Sequence, residues 1–186
     1  IAPKTRALVF SHVLTSTGLR MPVAELSALA RARGCLAVVD GAQAVGGIPV
    51  DVKAIGCHVY VACGHKWLLG PPGTGFMYLS EEIGRAVDPV ALQGGRHVYC
   101  DSSGVTNIPG VLALQTAVEY VRAIGIVEVE RHNLSLRNRL YEQLRGAPGL
   151  TIVSAPPGAL ASPLLSYRLP DATKSQDLMQ RLMTKH

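Results

Sequence analysis

Residues 7–40 read ALVFSHVLTSTGLRMPVAELSALARARGCLAVVD, in which two apolar runs enclose an amphipathic segment. The runs at 7–10 and 36–40 are short and continuous, which is typical of strands buried in a parallel sheet. Between them, Pro22 begins a segment with its apolar residues on one face, and Gly34 ends it, as expected of a helix of about three turns. Strand, helix and strand form a βαβ unit, so the sequence predicts an α/β fold with a parallel sheet.

Similar patterns continue after this unit. Five more elements are predicted: strands at 58–62, 75–79 and 164–169, and helices at 108 to about 145 and at 175–183. The first of these helices is interrupted near Gly125, and a region rich in proline and glycine follows at 147–158. The chain is therefore predicted to alternate strands and helices, with most of its strands in the first half.

The composition of the 186 residues limits the class of protein. Hydrophobic residues make up 48% and charged residues 17%, and glycine and proline have no regular period, which excludes a disordered, collagen-like or coiled-coil chain. No apolar run reaches the roughly 18 residues of a membrane span, and the first residues lack the apolar stretch of a secretory signal. We therefore expect a soluble, cytoplasmic protein.

Cysteine spacing and net charge exclude two further classes. The four cysteines, at 35, 57, 63 and 100, form no C-x-x-C pair and no secreted framework, so we expect thiols in a reducing compartment. The net charge is +5, but the largest group of arginines, Arg131, Arg137, Arg139 and Arg145, falls on a predicted amphipathic helix with a single aromatic residue, Tyr141, between them. This pattern is not that of a nucleic-acid-binding surface.

One motif resembles a nucleotide site but is interpreted as structural. The GPPGTG sequence at 70–75 looks like the start of an ATPase phosphate-binding loop. However, Phe76 and Met77 occupy the positions that need a lysine for the phosphates and a hydroxyl for magnesium. We therefore interpret residues 70–75 as a turn that leads into the strand at 75–79.

A zinc site is a second candidate, because Cys57, His58, Cys63 and His65 lie close together in the sequence. Their spacing matches neither a C-x-x-C nor an H-E-x-x-H pattern, and neighbours 57 and 58 point to opposite faces of a strand. We therefore expect no metal site. Cys57 is predicted to be a core cysteine.

The strongest candidate site lies where two predicted strands end. Asp40 ends one strand and begins the sequence Asp-Gly-Ala-Gln at 40–43, and His65 and Lys66 follow the next strand. Parallel strands end at one edge of the sheet, so these side chains are predicted to share the rim where α/β folds bind ligands.

Such a set suits pyridoxal phosphate (PLP) chemistry. The Lys66 amine can form an imine with the cofactor aldehyde and move the substrate's Cα proton. Asp40 can keep the pyridine nitrogen protonated, so that the ring accepts the electrons of a carbanion. The Gln43 amide can hydrogen-bond the ring phenolate, and His65 can reach the cofactor or its phosphate. The alternative is a buried structural ion pair between Lys66 and Asp40.

Three motifs in this order resemble the class V aminotransferase family of fold-type I PLP enzymes. They are Asp-Gly-Ala-Gln-Ala at 40–44, Gly-His-Lys-Trp-Leu at 64–68 and Gly-Pro-Pro-Gly-Thr-Gly-Phe at 70–76, and the resemblance covers nearly the whole chain. It implies a PLP-dependent enzyme that acts at Cα or Cβ of an amino acid, either a cysteine desulfurase or a carbon–sulfur lyase. An epimerase like isopenicillin N epimerase is the alternative. A non-catalytic fragment or scaffold with this fold is the alternative of another class.

The resemblance also implies roles for individual residues. Lys66 would be the Schiff-base lysine, and Asp40 the partner of the pyridine nitrogen. Gln43 would contact the phenolate, and His65 the phosphate. These roles agree with those that the residue types themselves favour.

Two positions depart from the family pattern. Cys63 stands where the family commonly has a serine that binds the phosphate, so that contact is weakened. Val105 stands where a threonine often reaches the phosphate of the neighbouring subunit, and Thr106 is the candidate to replace it. The implied cofactor-binding set is therefore Lys66, Asp40, Gln43, His65, Cys63 and Thr106.

The resemblance further implies a domain organisation and an assembly. Residues 1–128 would belong to the PLP-binding large domain, and residues 129–186 would form a connecting helix and the start of a small α/β C-terminal domain. The family's upstream threonine loop and ring-stacking histidine, and its downstream carboxylate-binding arginine and desulfurase cysteine, cannot be located in this sequence. We therefore expect the central part of a longer homodimeric enzyme with an amino-acid substrate, and neither nucleic acid nor a membrane as a partner.

Overall fold

The computed structural model describes residues 1–86, 107–170 and 173–185, so that Cys100, Val105 and Thr106 lie outside the described residues. The strands are β1 (Ala7–Ser11), β2 (Leu36–Asp40), β3 (Val59–Cys63), β4 (Gly75–Leu79), β5 (Thr151–Ile152) and β6 (Tyr167–Arg168). The helices are α1 (Val23–Ala32), α2 (Val52–Ile55), α3 (Glu81–Ala86), α4 (Ile108–Ile124), α5 (Ile126–Leu144) and α6 (Thr173–Lys185).

A mixed, mostly parallel sheet is formed by β1 to β4 in sequence order. β1, β2 and β3 are parallel, as predicted, and α1 connects the first two. β4 is antiparallel to β3, with Gly75 opposite Cys63, so the sheet is parallel in three strands and antiparallel in the fourth. The reason is the link at 64–74, which contains no helix, whereas a parallel return needs a long crossover connection. This link is the predicted GPPGTG turn, and it leads into β4 as expected.

One face of the sheet carries the main hydrophobic core. Phe10, Val39, Tyr60 and Tyr78 form a row across the four strands, and α1 packs against β2 through two buried apolar residues of its own. Cys57 belongs to the same cluster and is buried, as predicted. Burial also raises the pKa of its thiol.

The opposite face of the sheet carries a second apolar row, which we call the open row. It consists of Val9, Val38, Val59 and Leu79, which lie side by side across the four strands. Val9 is 69% exposed and Leu79 is 41% exposed, whereas Val39 on the core face has no exposed surface. Strands of parallel sheets normally bury both faces, so the open row is an unusual apolar surface.

Two short helices are not predicted from the sequence, because neither completes the two turns needed for a clear apolar period. The local sequence nevertheless explains α2. The Asp51 carboxylate accepts hydrogen bonds from the backbone N–H groups of Lys53 (2.9 Å) and Ala54 (3.0 Å), and so caps the first turn. Gly56 ends the helix with a left-handed φ of 67°.

The C-terminal part begins with two long helices that meet at Gly125. Its φ of 89° permits the 78° bend between α4 and α5 and confirms the predicted interruption. No single helix in the described ranges is long and apolar enough to cross a membrane, and α4 and α5 reach that length and hydropathy only when they are taken together.

After α5 the chain forms a small antiparallel pair, β5 with β6. The predicted strand at 164–169 is reduced to the two residues of β6. The segment before β6 is held by a hydrogen bond to a distant part of the chain instead of by strand pairing. The Ser162 hydroxyl donates this bond to the Gly18 carbonyl (2.7 Å). The helix predicted at 175–183 is present as α6.

Candidate active site

The ends of β1, β2 and β3 form one rim of the sheet. Ser11 at the end of β1 lies opposite Asp40 at the end of β2, and Asp40 lies opposite Val61 on β3. The chain leaves β3 after Cys63 and reaches Lys66 within three residues. The structure therefore places the predicted carboxylate and lysine on the same edge.

Asp40 is exposed at this rim and is held by a tight turn. Its Oδ1 accepts a hydrogen bond from the backbone N–H of Ala42 (2.9 Å), and the Gly41 N–H donates to the Val61 carbonyl (2.7 Å). Among the described residues, Oδ2 has no hydrogen-bond partner. One carboxylate oxygen is thus used to fix the side chain, and the other is available to a ligand.

A buried pair lies directly beneath this turn. His12 Nδ1 and the Tyr60 hydroxyl share a hydrogen bond of 2.9 Å, and the two rings meet edge to face. The backbone N–H of His12 donates to the Asp40 carbonyl (2.8 Å), and a Cβ at Gly41 would overlap the Tyr60 ring. The pair therefore supports the Asp40 turn from below, and only glycine fits at position 41.

Burial and the neighbouring Arg20 guanidinium lower the pKa of His12 to about 4. Burial also raises the pKa of Tyr60, so that its hydroxyl stays protonated. The pair is accordingly neutral near pH 7. This matters for folding, because a neutral pair is much cheaper to bury than a charged one.

Lowering the pH from about 7 to about 5 should therefore destabilise the folded protein through His12. The unfolded chain, where the His12 pKa is near 6.5, binds a proton before the folded protein does, so stability that is present above about pH 6.5 is lost as the pH falls toward 4. Between pH 7 and pH 5 the expected loss is about 2 kcal/mol, at about 1.4 kcal/mol per pKa unit over the range from 6.5 to 5. Chemical denaturation at both pH values measures it.

The control for this prediction is another histidine. His12→Gln should reduce the pH-dependent loss of unfolding free energy, whereas His132→Gln, at an exposed position on α5, should leave it unchanged. An equal loss in the wild type and in His12→Gln would contradict the prediction.

Lys66 lies in a compact turn after β3. The Gly70 N–H donates to the Gly64 carbonyl (2.8 Å), and the Leu69 N–H donates to the Lys66 carbonyl (3.0 Å). Leu69 has a φ of 61°, a left-handed conformation that costs a leucine about 1 kcal/mol, so the turn is strained next to the lysine. Lys66 is half-buried, and its amine forms no hydrogen bond or ion pair with any described residue.

The predicted alternative of a structural ion pair is therefore wrong. Asp40 is exposed rather than buried, and no ion pair joins it to Lys66. Both groups keep free polar atoms at the rim, which is the state expected of residues that bind a ligand.

Two side-chain contacts bring the Asp40 segment and the Lys66 segment together. The Cys63 thiol lies 3.8 Å from the Ala42 carbonyl oxygen. The Trp67 indole N–H donates to Gln43 Oε1 (3.0 Å), which leaves the amide NH₂ of Gln43 without a partner among the described residues. These contacts hold the segment of Asp40 and Gln43 against the segment of Cys63 and Lys66.

The remaining predicted residues are placed less directly. His65 is exposed on the same turn as Lys66 and has no hydrogen-bond partner among the described side chains. Thr106 lies outside the described residues. The contacts of Trp67 with Gln43 and of His12 with Tyr60 could not be predicted from the sequence, because these four residues lie in separate motifs and strands.

Two of the residues that suggested zinc have structural roles instead, since Cys57 is buried in the core and His58 is hydrogen-bonded on both ring nitrogens. His58 Nδ1 accepts a hydrogen bond from the Ala37 N–H (2.8 Å), and His58 Nε2 lies 2.8 Å from the Glu82 carboxylate. Within the described ranges, no three histidine, cysteine or acidic side chains come close enough to hold a metal ion.

The rim residues fit PLP. An unpaired amine suits the cofactor aldehyde, a free carboxylate oxygen suits a protonated pyridine nitrogen, and an amide NH₂ suits a phenolate oxygen. Each of these groups is free on the described rim, and their separate segments are in contact.

Comparisons with known proteins agree with this site. The family model for class V aminotransferases matches residues 1–185. Isopenicillin N epimerase from Amycolatopsis lactamdurans is 33% identical over 98% of this chain and 50% of its own length, and a cysteine desulfurase from Escherichia coli (strain K12 / DH10B) is 36% identical over 80% of this chain and 40% of its own. The chain thus spans about half the length of the curated relatives it matches.

The fold is also that of solved PLP enzymes. A mutant of C-DES with glycine covalently linked to its PLP cofactor superposes with a TM-score of 0.84 at 23% identity, over 100% of this chain and 52% of that one. The large-domain fold of the fold-type I PLP enzymes is therefore confirmed, with the predicted strand β4 running antiparallel to its neighbour. On the match to residues 1–185, this chain belongs to the class V aminotransferase family.

Proposed function

We propose that this chain forms the PLP-binding part of an enzyme that acts on an amino acid at Cα or Cβ. The observation that carries the proposal is the Lys66 amine, which is half-buried, has no partner among the described residues and shares a rim with Asp40. When bound there, PLP supplies an electron sink for charge that develops at the substrate's Cα.

Lys66, Asp40 and Gln43 each have a separate role in this proposal. Lys66 would hold PLP covalently, its amine replacing the oxygen of the cofactor aldehyde, which leaves as water, and it would carry a proton to or from Cα. Asp40 holds a proton on the pyridine nitrogen with its free oxygen, while the other oxygen stays in its bond to the backbone. Gln43 donates its amide NH₂ to the phenolate oxygen.

The phosphate group is assigned to three further residues. His65 is exposed on the Lys66 turn, where it can donate a hydrogen bond to an anion. Cys63 lies at the end of β3 and takes the place of the family's common serine, with a weaker S–H donor. Thr106 is the third proposed contact, and its role rests on the family resemblance.

The proposal for the reaction has a general part, the chemistry at Cα, and a specific part, the product. The Cα chemistry above is common to desulfuration, carbon–sulfur cleavage and epimerisation. We propose a cysteine desulfurase or carbon–sulfur lyase, with the epimerase as the second candidate because an isopenicillin N epimerase matches the chain over 98% of its length. Product analysis with L-cysteine separates them, since only the first pair releases sulfur from the substrate.

Organisation and assembly are part of the same proposal. We assign residues 1–128 to the cofactor domain and residues 129–186 to a connecting helix and the start of a small domain. The break at Gly125, between α4 and α5, supports a boundary close to this point. A cytoplasmic homodimer is proposed on the family resemblance.

Borohydride reduction tests the proposed function. The purified protein is incubated with PLP, reduced and digested, and its peptides are mapped by mass spectrometry. We expect the label on Lys66, because its amine is free at the rim. Label on Lys53, which lies on α2, or no label at all would contradict the assignment and favour a non-catalytic scaffold.

A further inference from the structure

We propose that Trp67 is a positioning residue that fixes the direction of the Gln43 amide, so that its NH₂ group rather than its carbonyl faces the phenolate oxygen of PLP. This inference rests on the proposed function, because it concerns how one cofactor contact is oriented. It adds a role for Trp67, which makes no other side-chain hydrogen bond among the described residues.

The first step of the argument is the polarity of the hydrogen bond. The indole Nε1–H can only donate, and it lies 3.0 Å from Gln43 Oε1. A glutamine amide has nearly the same shape in both orientations, so its hydrogen-bond partner decides which end points where. With its oxygen turned toward the indole, Gln43 presents its NH₂ group, with two N–H donors, on the other side.

The second step is that the indole itself is held in place. The backbones of Gly46 and Gly47 pack against Trp67, and a Cβ at Gly47 would lie 3.1 Å from the indole ring. Its neighbour Leu68 is buried, which fixes the backbone at position 67.

The third step is the chemistry of the ligand oxygen. A phenolate oxygen carries negative charge, so an amide N–H stabilises it and an amide carbonyl repels it. An amide free to turn would spend part of its time in the repelling orientation. Trp67 removes that orientation, and it does so from the residue directly after the proposed cofactor lysine.

Trp67→Phe tests the inference, because it keeps an aromatic ring against Gly47 but removes the N–H donor. We expect the dissociation constant for PLP to rise about tenfold, since one hydrogen bond to a charged oxygen is weakened. We also expect the pH at which the bound cofactor's visible band titrates to rise by about one unit, because a donor to this oxygen favours its unprotonated form.

A double-mutant cycle with Gln43→Leu provides the control. If Trp67 acts through Gln43, Trp67→Phe should change neither quantity in the Gln43→Leu background. Additive effects of the two substitutions would overturn the inference, as would wild-type affinity and pH profile in Trp67→Phe. A merely structural role would lower the melting temperature without moving the pH profile, and that result would also overturn it.

A measurement without PLP keeps the inference falsifiable if Trp67→Phe fails to fold. In ¹H–¹⁵N spectra, the Trp67 indole signal should move toward that of an unbonded indole when Gln43 is replaced by leucine. An unmoved signal would show that the bond is absent and overturn the inference. Labelling of Lys66 in the borohydride experiment, combined with no effect of Trp67→Phe, overturns this inference alone, whereas absence of labelling overturns the proposed function as well.

Discussion

Replacing Lys66 by alanine should reduce turnover of an amino-acid substrate by at least about 10³-fold, because both the covalent bond to the cofactor and the proton carrier at Cα are lost. The same substitution should change the unfolding free energy by less than about 0.5 kcal/mol. The structural reason is that the amine has no ion pair or hydrogen bond among the described residues. Steady-state kinetics and chemical denaturation measure the two effects.

Lys53→Ala is the matched control for this prediction. Lys53 is an exposed lysine on α2. It lies shortly before β3 in the chain, whereas Lys66 lies shortly after β3. Its replacement should leave turnover within about twofold of the wild type. A Lys66→Ala enzyme that retains more than about a tenth of wild-type turnover would refute the assigned role.

Replacing Asp40 by asparagine should reduce turnover by about 10²-fold or more, while PLP affinity changes by less than about tenfold. PLP affinity should change less than turnover because the amide oxygen of asparagine can still accept the hydrogen bond from the Ala42 N–H, so the turn keeps its shape. The neutral amide cannot hold the proton on the pyridine nitrogen, which is what makes the ring an electron sink.

Asp51→Asn controls for the loss of an aspartate that accepts backbone hydrogen bonds. Asp51 accepts two of them at the start of α2, and its replacement should lower stability slightly without affecting turnover. Turnover of Asp40→Asn is compared with this variant at saturating PLP. Equal turnover in the two variants would refute the role of Asp40.

Much of the fold follows from local sequence patterns. The apolar runs at 7–10 and 36–40 and the helix between them are present as β1, β2 and α1, because continuous apolar runs and a clear helical period leave few alternatives. The direction of β4 is not determined in this way. It depends on the path of the link at 64–74, and the apolar pattern of a strand does not encode its direction.

The candidate site, like the fold, could be predicted from the sequence only in part. Asp40 and Lys66 could be predicted because the ends of successive parallel strands share an edge, and the sequence alone shows where strands end. The bond between His12 and Tyr60 joins residues 48 positions apart, and it depends on the register of three strands. The orientation of Gln43 likewise depends on one indole nitrogen whose position only the packed structure defines.

The open row has a practical consequence for solubility. Its four side chains form a contiguous apolar strip across the sheet, with Val9 and Leu79 at the two ends both exposed. Strips of this kind promote self-association when a protein is concentrated. Salts such as sulfate strengthen that association, so purification of this chain should favour dilute samples and avoid salting-out steps.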